Sequence, residues 1–230
     1  MAIFRSPTLS LRARGPLACF TRPELKVERV SYPVMTPSAA RGLLEAILWK
    51  PAITWHVERI RVLKEIKFTA FRRNEVNTKA PPPSAATIRS GGPAPLYFAD
   101  EDRAQRNTVA LSDVDYLIEA HFTMTDGAGP EDNMRKFVDM FKRRVEKGQH
   151  FHQPYLGCRE FVAEPLPAGH APPAINESRE LGLMLWDIDF ANDGKTPIFF
   201  KARLEAGVLS VPSDAEAALA TLNPAQEGET

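Results

Sequence analysis

The sequence contains little cysteine, and this scarcity limits the chemistry that can be expected of it. Its two cysteines, Cys19 and Cys158, stand in neither a Cys-x-x-Cys motif nor a cluster with histidine. We therefore expect no structural zinc site and no other metal or cofactor. The sequence allows a single disulfide, but two reduced thiols in a cytosolic protein fit its cysteine usage better.

Long apolar runs are also missing. No stretch of the 230 residues approaches the roughly 18 consecutive apolar residues of a membrane-spanning helix. Residues 1–20 carry three arginines and no continuous apolar run, so we expect no secretory signal. With 43% hydrophobic and 25% charged residues, the composition is that of a globular protein long enough to bury a core.

Net charge is absent too, although the balance hides an asymmetry along the chain. Residues 1–90 contain 16 basic and 6 acidic side chains, whereas residues 91–230 contain 13 basic and 23 acidic ones. A basic first part and an acidic remainder suggest one surface for a polyanion and another for a neighbouring protein. The alternative is that the two parts fold against each other and neutralise their charges.

The most informative stretch is residues 19–51, where a basic loop leads into an amphipathic helix. Thr36 as N-cap and Pro51 as a stop predict a helix over 37–49. Cations and aromatic rings alternate in the loop before it: Phe20, Arg22, Lys26, Arg29 and Tyr32. This combination favours binding of single-stranded nucleic acid, and the alternative is a solvated basic loop.

Hydrophobic periodicity places the remaining elements. The predicted strands are 9–20, 55–71 as one strand or a hairpin bent near Lys64, 113–124, 181–190, 197–205 and a short one at 207–211. A second helix is predicted over 131–147, with Lys136 and Arg143 on a polar face. Residues 72–110 contain Pro81-Pro82-Pro83 and Gly91-Gly92, which indicates a functional or disordered loop.

This order of elements predicts the fold class. Strand–helix–strand–strand–helix–strand is the split βαβ layout of an α+β, ferredoxin-like protein. Such a sheet carries its helices on one face and leaves the other open, often for RNA. The aromatic signature of the standard RNA-recognition motif is absent from the sequence.

Several long segments together resemble one protein family. The segments are ACFTRPELKVERVSYPVMTPSAARGLLEAILWKP, FRRNEV, VDYLIEAHF, EDNMRKFVDMFKRRVEKGQHFHQPYLGCREF, LGLMLWDIDF and TPIFFKARLEAGVL. They resemble the CRISPR-associated Cas-five protein of subtype I-C over residues 10–212. The resemblance implies a ferredoxin-like RNA-binding domain at 1–165 and a small antiparallel β domain at 166–230.

The resemblance also implies a function in antiviral defence. A protein of this family cleaves the repeat RNA of a CRISPR transcript without a metal ion and then stays on the 5′ handle of the guide. The implied partners are the repeat hairpin and 5′ handle, a Cas-seven backbone and a Cas-eight large subunit, in the cytoplasm of a prokaryote. A stand-alone RNA chaperone is a more distant alternative.

The catalytic positions that the resemblance implies are only partly kept. The family's motif has a tyrosine where this chain has Leu48, and a Lys-His pair where it has Lys136 and Phe137. Leucine cannot bind a phosphate and phenylalanine cannot move a proton. Either nearby groups have replaced them, with His150 and His152 as candidates beside Lys136, or the protein is a non-catalytic subunit that caps the handle.

RNA binding is predicted for a wider set of side chains. Cations that contact phosphates, with one ring that stacks, are the ordinary apparatus for this purpose. The predicted RNA-binding residues are Arg22, Lys26, Arg29, Tyr32, Arg72, Arg73 and Arg143. The alternative for each cation is solvated surface.

Overall fold

The structure, a computed structural model, describes residues 5–25, 27–190 and 195–222. Its strands are β1 (Leu9–Ala18), β2 (Arg29–Val30), β3 (Ile53–Val62), β4 (Lys67–Val76), β5 (Arg103–Met124), β6 (Glu164–Pro167), β7 (Arg179–Asp189), β8 (Thr196–Glu205) and β9 (Val208–Ser210). Its α-helices are α1 (Pro37–Ile47), α2 (Ala85–Ser90), α3 (Met134–Glu146) and α4 (Ala215–Ala220).

Four strands and two helices form the ferredoxin-like unit. The strand order β6-β1-β5-β3 is antiparallel at every step, and α1 and α3 are the two helices that connect these strands. If these four strands are numbered 1 to 4 along the chain, their order across the sheet is 4-1-3-2, which is the order of the split βαβ layout. The predicted α+β, ferredoxin-like class is confirmed.

Helix α1 begins as predicted and ends earlier. The Thr36 side chain accepts a hydrogen bond from the Ala39 backbone N–H at 3.3 Å, and Pro37 follows it in the first turn. The helix ends at Ile47 rather than at residue 49, because Leu48 adopts an extended backbone with φ −140° and ψ 97°. The Leu48 N–H still bonds to the Leu44 carbonyl, so the last turn remains closed.

Strand β5 is longer than the sequence predicts, and it corrects two predictions. Its second part pairs with β3, and its first part pairs with β4. Both alternatives predicted for 55–71 are therefore wrong: one continuous strand, since β3 ends at Val62 and β4 begins at Lys67, and a hairpin, since both strands pair with β5. The predicted structureless loop over 72–110 is wrong at both ends, since β4 continues to Val76 and β5 begins at Arg103.

The β4–β5 ribbon was not predicted from the sequence, and there is a physical reason for this. Its residues alternate between exposed and half-buried positions and contribute few apolar side chains, so hydrophobic periodicity is weak there. Local hydrogen bonds close its tip: Thr78 N–H and Tyr97 O–H both donate to the Asp102 carboxylate, at 2.9 Å each. The bonds from Thr78, chiefly, lower the pKa of Asp102.

The last strands extend the same sheet. Strands β7, β8 and β9 follow one another as an antiparallel meander, and β9 pairs with β3 through Ile60 and Leu209. The three strands predicted over 181–211 are confirmed. The division of the chain at residues 165 and 166 stays a prediction. Within the described part of the chain, no helix has the length and apolarity needed to cross a membrane.

Charges from the two parts of the sequence meet across the sheet. Arg12 binds Asp115 with Nη2 and Oδ2 at 2.6 Å, and the Asp115 side chain is almost fully buried. Arg59 and Arg61 both contact Glu119, at 2.7 Å each. Each pair joins a cation from residues 1–90 to an acid from the remainder. The structure thus favours the alternative that the two parts neutralise each other.

Candidate functional site

Lys136 lies in the first turn of α3, beside an acid. Asn133 caps the helix by accepting a hydrogen bond from the Lys136 N–H at 2.9 Å. The Lys136 Nζ contacts Asp132 Oδ1 at 3.0 Å, and this hydrogen bond is the main reason that the pKa of Asp132 is lowered. The cation therefore faces solvent with its charge partly compensated.

The two positions that depart from the family's motif are packed in the core. Leu48 is 0% exposed and Phe137 is 1% exposed. Phe137 meets Phe122 edge to face, with 6.4 Å between the ring centroids. Neither side chain reaches solvent or a groove, so their role here is packing.

The segment after α3 is fixed against the end of α1. Gly148 adopts φ +62° and ends the helix as a C′ glycine, as predicted. The Phe151 N–H then donates to the Ala46 carbonyl at 2.7 Å. This contact holds His150 and His152 on either side of an anchored backbone position.

The structure does not join Lys136 to these histidines. Lys136 is in the first turn of α3, whereas His150 and His152 follow its last residue, Glu146. At 1.5 Å per residue, the helix between Lys136 and Glu146 spans roughly 15 Å. The three predicted catalytic residues therefore belong to two places, one at each end of α3.

A cavity of about 390 Å³ opens beside one of the two histidines. Its lining residues are His152, Gln153, Tyr155 and Arg159. A second depression, of about 270 Å³, adjoins it at Tyr155 and runs along the first turns of α1. His150 is not among the lining residues. An imidazole, a phenol and a guanidinium thus border one space, which is a set that can move protons and stabilise an anion.

The turn that carries Tyr155 and Arg159 requires a glycine. Gly157 has φ +84°, and a Cβ there would lie 2.1 Å from the Cys19 carbonyl oxygen. The Cys19 N–H donates to the Leu156 carbonyl at 3.0 Å, so the turn is docked on the chain just after β1. Sequence reasoning missed Arg159, and the Leu-Gly-Cys-Arg turn was the signal that could have identified it.

Two predicted RNA-binding arginines belong to an ion cluster. Arg29 contacts Glu160 at 2.6 Å and Glu75 at 3.4 Å. Arg73 contacts Glu75 at 3.0 Å and also pairs with Glu160. The two arginines and two glutamates compensate one another, and the guanidinium of Arg73 is mostly buried. Their positive charge is weaker toward a polyanion than the sequence suggests.

The other predicted RNA-binding residues are placed differently. Tyr32 is fully buried, and the Arg22 guanidinium covers its ring at 4.6 Å from the centroid. The Tyr32 ring therefore offers no surface for base stacking, which contradicts the role predicted for it. Arg72 donates to the Gln105 side chain at 3.3 Å on the exposed ribbon, and Arg143 is exposed on α3. Lys26 lies outside the described residues.

The comparison with known families decides which family this is. The sequence profile of the family Cas_Cas5d, described as CRISPR-associated protein (Cas_Cas5), matches residues 8–212. The chain belongs to the Cas5d family. The resemblance inferred from the sequence is confirmed, and the match covers nearly all of the described elements.

Curated relatives of this Cas5d family member carry the same name. A protein of Mannheimia succiniciproducens named CRISPR pre-crRNA endoribonuclease Cas5d is 49% identical over 217 residues, which cover 89% of this chain and 94% of the relative. A protein of Thermus thermophilus with that name is 41% identical over 224 residues, which cover 90% and 92%.

The fold of this Cas5d family member also has a solved counterpart. A crystal structure described as that of a CRISPR-associated protein matches with a TM-score of 0.69 and 21% identity. The match covers 94% of this chain and 97% of that one. At this identity the likeness concerns the fold alone, and it agrees with the α+β architecture.

Proposed function

We propose that this protein is a metal-independent endoribonuclease that cleaves the repeat RNA of a CRISPR transcript and then holds the 5′ handle of the guide. The observation that carries the proposal is the 49% identity to a relative named CRISPR pre-crRNA endoribonuclease Cas5d, over 94% of that relative. The cavity beside His152 supports it, because it gathers the groups that such a cleavage needs.

The proposed reaction is an internal transesterification. The 2′-oxygen attacks the neighbouring phosphorus, the bond from phosphorus to the 5′-oxygen breaks, and the proton lost by the 2′-hydroxyl is balanced by one gained at the leaving oxygen. His152 takes the proton from the 2′-hydroxyl and returns one to the leaving 5′-oxygen, and Arg159 stabilises the charge on the phosphorane. Tyr155 offers an O–H to a phosphate oxygen. The products are a 2′,3′-cyclic phosphate and a 5′-hydroxyl.

The test is cleavage of the cognate repeat RNA by purified protein in EDTA. We expect His152→Ala to lower the rate about 10²- to 10⁴-fold, because one general acid–base group is lost. His150→Ala is the matched control, since it removes an exposed histidine two residues away that does not line the cavity. Equal rates for His152→Ala and the wild type would overturn the assignment of His152.

Lys136 forms a separate arm of this test. Its ammonium is at the other end of α3 from His152, so we expect Lys136→Ala to weaken RNA binding more than it slows the bound complex. A single-turnover rate at saturating protein separates the two effects. A large fall in that rate would instead show that Lys136 takes part in catalysis.

One observation favours a second candidate, a non-catalytic subunit that caps the 5′ handle. The positions of the family's tyrosine and histidine hold Leu48 and Phe137, and both side chains are buried. Under this candidate the folded protein binds the repeat hairpin and never cleaves it. The cleavage assay on the wild type decides between the two.

Phosphate contact is proposed for three cations outside the cluster of Arg29 and Arg73. Arg72 and Arg143 are exposed on the β4–β5 ribbon and on α3. Arg22 is half-buried over the Tyr32 ring and contacts Glu24 at 3.6 Å. Each phosphate contact removed should lower the slope of log K against log salt by about one. Alanine variants measured at several salt concentrations test each position.

The proposed setting is a type I-C effector complex in the cytoplasm of a prokaryote. Membership in the Cas5d family supports assembly with a Cas-seven backbone and a Cas-eight large subunit. Co-expression with those subunits and guide RNA should yield one complex on size exclusion. Recovery of the protein free of the other subunits, with guide RNA present, would overturn this part.

A further inference from the structure

Phe151 is a large apolar side chain that the fold holds in solvent. It is 68% exposed, and single exposed apolar residues are ordinary on protein surfaces. It differs from the other exposed apolar side chains because it directly precedes His152, which lines the cavity.

The backbone at Phe151 is anchored on two helices. The Phe151 N–H donates to the Ala46 carbonyl near the end of α1 at 2.7 Å, and the Gln149 N–H donates to the Arg144 carbonyl near the end of α3 at 2.8 Å. The Arg144 guanidinium also donates to the Ile47 carbonyl, which ties the two helices together. The Phe151 side chain therefore projects from a backbone position that these hydrogen bonds hold in place.

The Phe151 ring contacts the imidazole of His152. Their centroids are 5.8 Å apart and their planes are inclined by 78°, an edge-to-face arrangement. A planar group stacked on Phe151 would therefore lie next to the imidazole. Nucleobases are such planar groups, and an exposed aromatic ring beside a cationic groove is how proteins hold unpaired bases. Arg159 supplies the cation in this groove.

We propose that Phe151 stacks on an unpaired base of the repeat RNA and so positions the adjoining phosphate at His152. This inference rests on the proposed function, to which it adds a residue that selects single-stranded RNA at the cleavage point. Phe151 is a positioning residue, since it carries no group that can move a proton. It replaces Tyr32 as the stacking ring.

The first measurement is fluorescence of RNA that carries 2-aminopurine. Each unpaired nucleotide of the repeat is replaced in turn, in an RNA with 2′-deoxyribose at the cleaved position so that it stays intact. Stacking on a ring quenches the probe. We expect one position to be quenched by the wild type and by Phe151→Tyr, and not by Phe151→Leu.

The choice of variants separates stacking from hydrophobic contact. Leucine keeps an apolar side chain and removes the ring, whereas tyrosine keeps the ring. Leu183→Ala is the matched control, because Leu183 is 59% exposed on β7. We expect Phe151→Leu to weaken binding on the order of 10-fold, as loss of one stacked base does, and Phe151→Tyr and Leu183→Ala to bind as the wild type.

The outcomes also separate this inference from the proposed function. If the wild type quenches one position that Phe151→Leu leaves unquenched, and never cleaves RNA, stacking by Phe151 stands and the endonuclease proposal fails. If the wild type cleaves and Phe151→Leu gives the same quenching and affinity, the stacking proposal fails alone. The absence of quenching at every position in the wild type also overturns it.

Discussion

Cys19 and Cys158 show how two identical residues receive different chemistry from their surroundings. Both thiols are free and both lie near the Thr21 hydroxyl, with sulfur–oxygen distances of 3.6 and 3.7 Å. Interaction with the Cys19 thiol lowers the pKa of Cys158, and the charge of Arg29 acts in the same direction. The same interaction and burial raise the pKa of Cys19.

We therefore predict that Cys158 reacts with iodoacetamide at pH 7 well before Cys19 does. The thiolate is the nucleophile, and Cys158 has both the lowered pKa and the partial exposure. Peptide mass spectrometry of the briefly treated native protein measures this order, and Cys158→Ser should abolish the early label. Earlier labelling of Cys19 would contradict the prediction.

His56 and His121 form a stacked pair on neighbouring strands. Their ring centroids are 5.1 Å apart, His56 Nε2 is 2.9 Å from Thr123 Oγ1, and His121 Nδ1 is 2.8 Å from a Glu58 oxygen. Burial, chiefly, lowers the pKa of His56, and the charges of His121 and Arg41 add to this effect. The folded state thus favours neutral His56.

Stability should fall as the pH decreases below about 6.5, the ordinary pKa of histidine. With a lowered folded-state pKa, His56 stabilises the fold above the unfolded-state value, and the unfolded chain binds the extra proton below it. Urea denaturation measures the free energy of unfolding at pH 7.5 and at pH 5. We expect this free energy to fall less between the two pH values for His56→Gln than for the wild type. The exposed His170→Gln serves as control, and equal losses in all three proteins would contradict the assignment.

The candidate site was predictable in part. The sequence made His150 and His152 equal candidates, because both follow a helix within the matched family segment, and only the fold shows that His152 lines a cavity. Tyr32 was predicted to stack because aromatic residues in a basic loop look alike whether they face solvent or the core. Only the packing of the loop on the sheet decides this, and the sequence does not encode it locally.

At the scale of elements, the turn over residues 155–161 determines the shape of the cavity. It closes through two backbone bonds, Leu156 N–H to the Phe161 carbonyl at 2.8 Å and Phe161 N–H to the Cys158 carbonyl at 3.0 Å. Tyr155 and Arg159 are positioned by this turn rather than by a helix or strand. A small change in its backbone should therefore affect both side chains together.

Gly157→Ala is the change that tests the turn. The added Cβ would overlap the Cys19 carbonyl and would force alanine into φ +84°. We expect the free energy of unfolding to fall by at least about 2 kcal/mol and repeat cleavage to be lost. Gly169→Ala is the control, because a Cβ there meets nothing within 4 Å. Urea denaturation and the cleavage assay measure the two effects, and wild-type behaviour of Gly157→Ala would contradict the role of the turn.

Elements were predicted well where one face is buried. Strand β5 from Val114 to Phe122 and the stripe of α3 show full alternation or helical spacing, and both were located from the sequence. The ribbon formed by β4 and the first part of β5 has no such face. Its pairing depends on register across the two strands, such as Arg72 opposite Asn107, which no local pattern reveals.

At the scale of the whole molecule, the distribution of charge differs from its distribution along the sequence. Acidic residues of the later part neutralise cations of the earlier part, as Glu164 does for Arg14 with a bond of 2.7 Å. The sequence alone left this alternative open, because charge asymmetry says nothing of which residues meet after folding. The positive surface available to RNA therefore consists of the cations that have no acidic partner.

Glu160→Gln tests this balance. The substitution removes one negative charge that contacts both Arg29 and Arg73, so we expect tighter RNA binding and a salt slope that is steeper by up to about one. Affinity for repeat RNA at several salt concentrations measures both. Glu216→Gln on α4 changes net charge equally away from the cluster, and equal gains in both variants would mean that net charge alone matters.

The tip of the β4–β5 ribbon leaves room for growth of the chain. Val76 and Arg103 face each other across the ribbon, so the 26 residues between them begin and end at adjacent points. The entropic cost of closing a loop rises only slowly with the length of the loop. No core strand or helix depends on the number of residues in this connecting segment. Insertions, deletions or a reporter tag at the tip should thus be accepted without change to the sheet, which makes this segment the natural place for sequence length to vary.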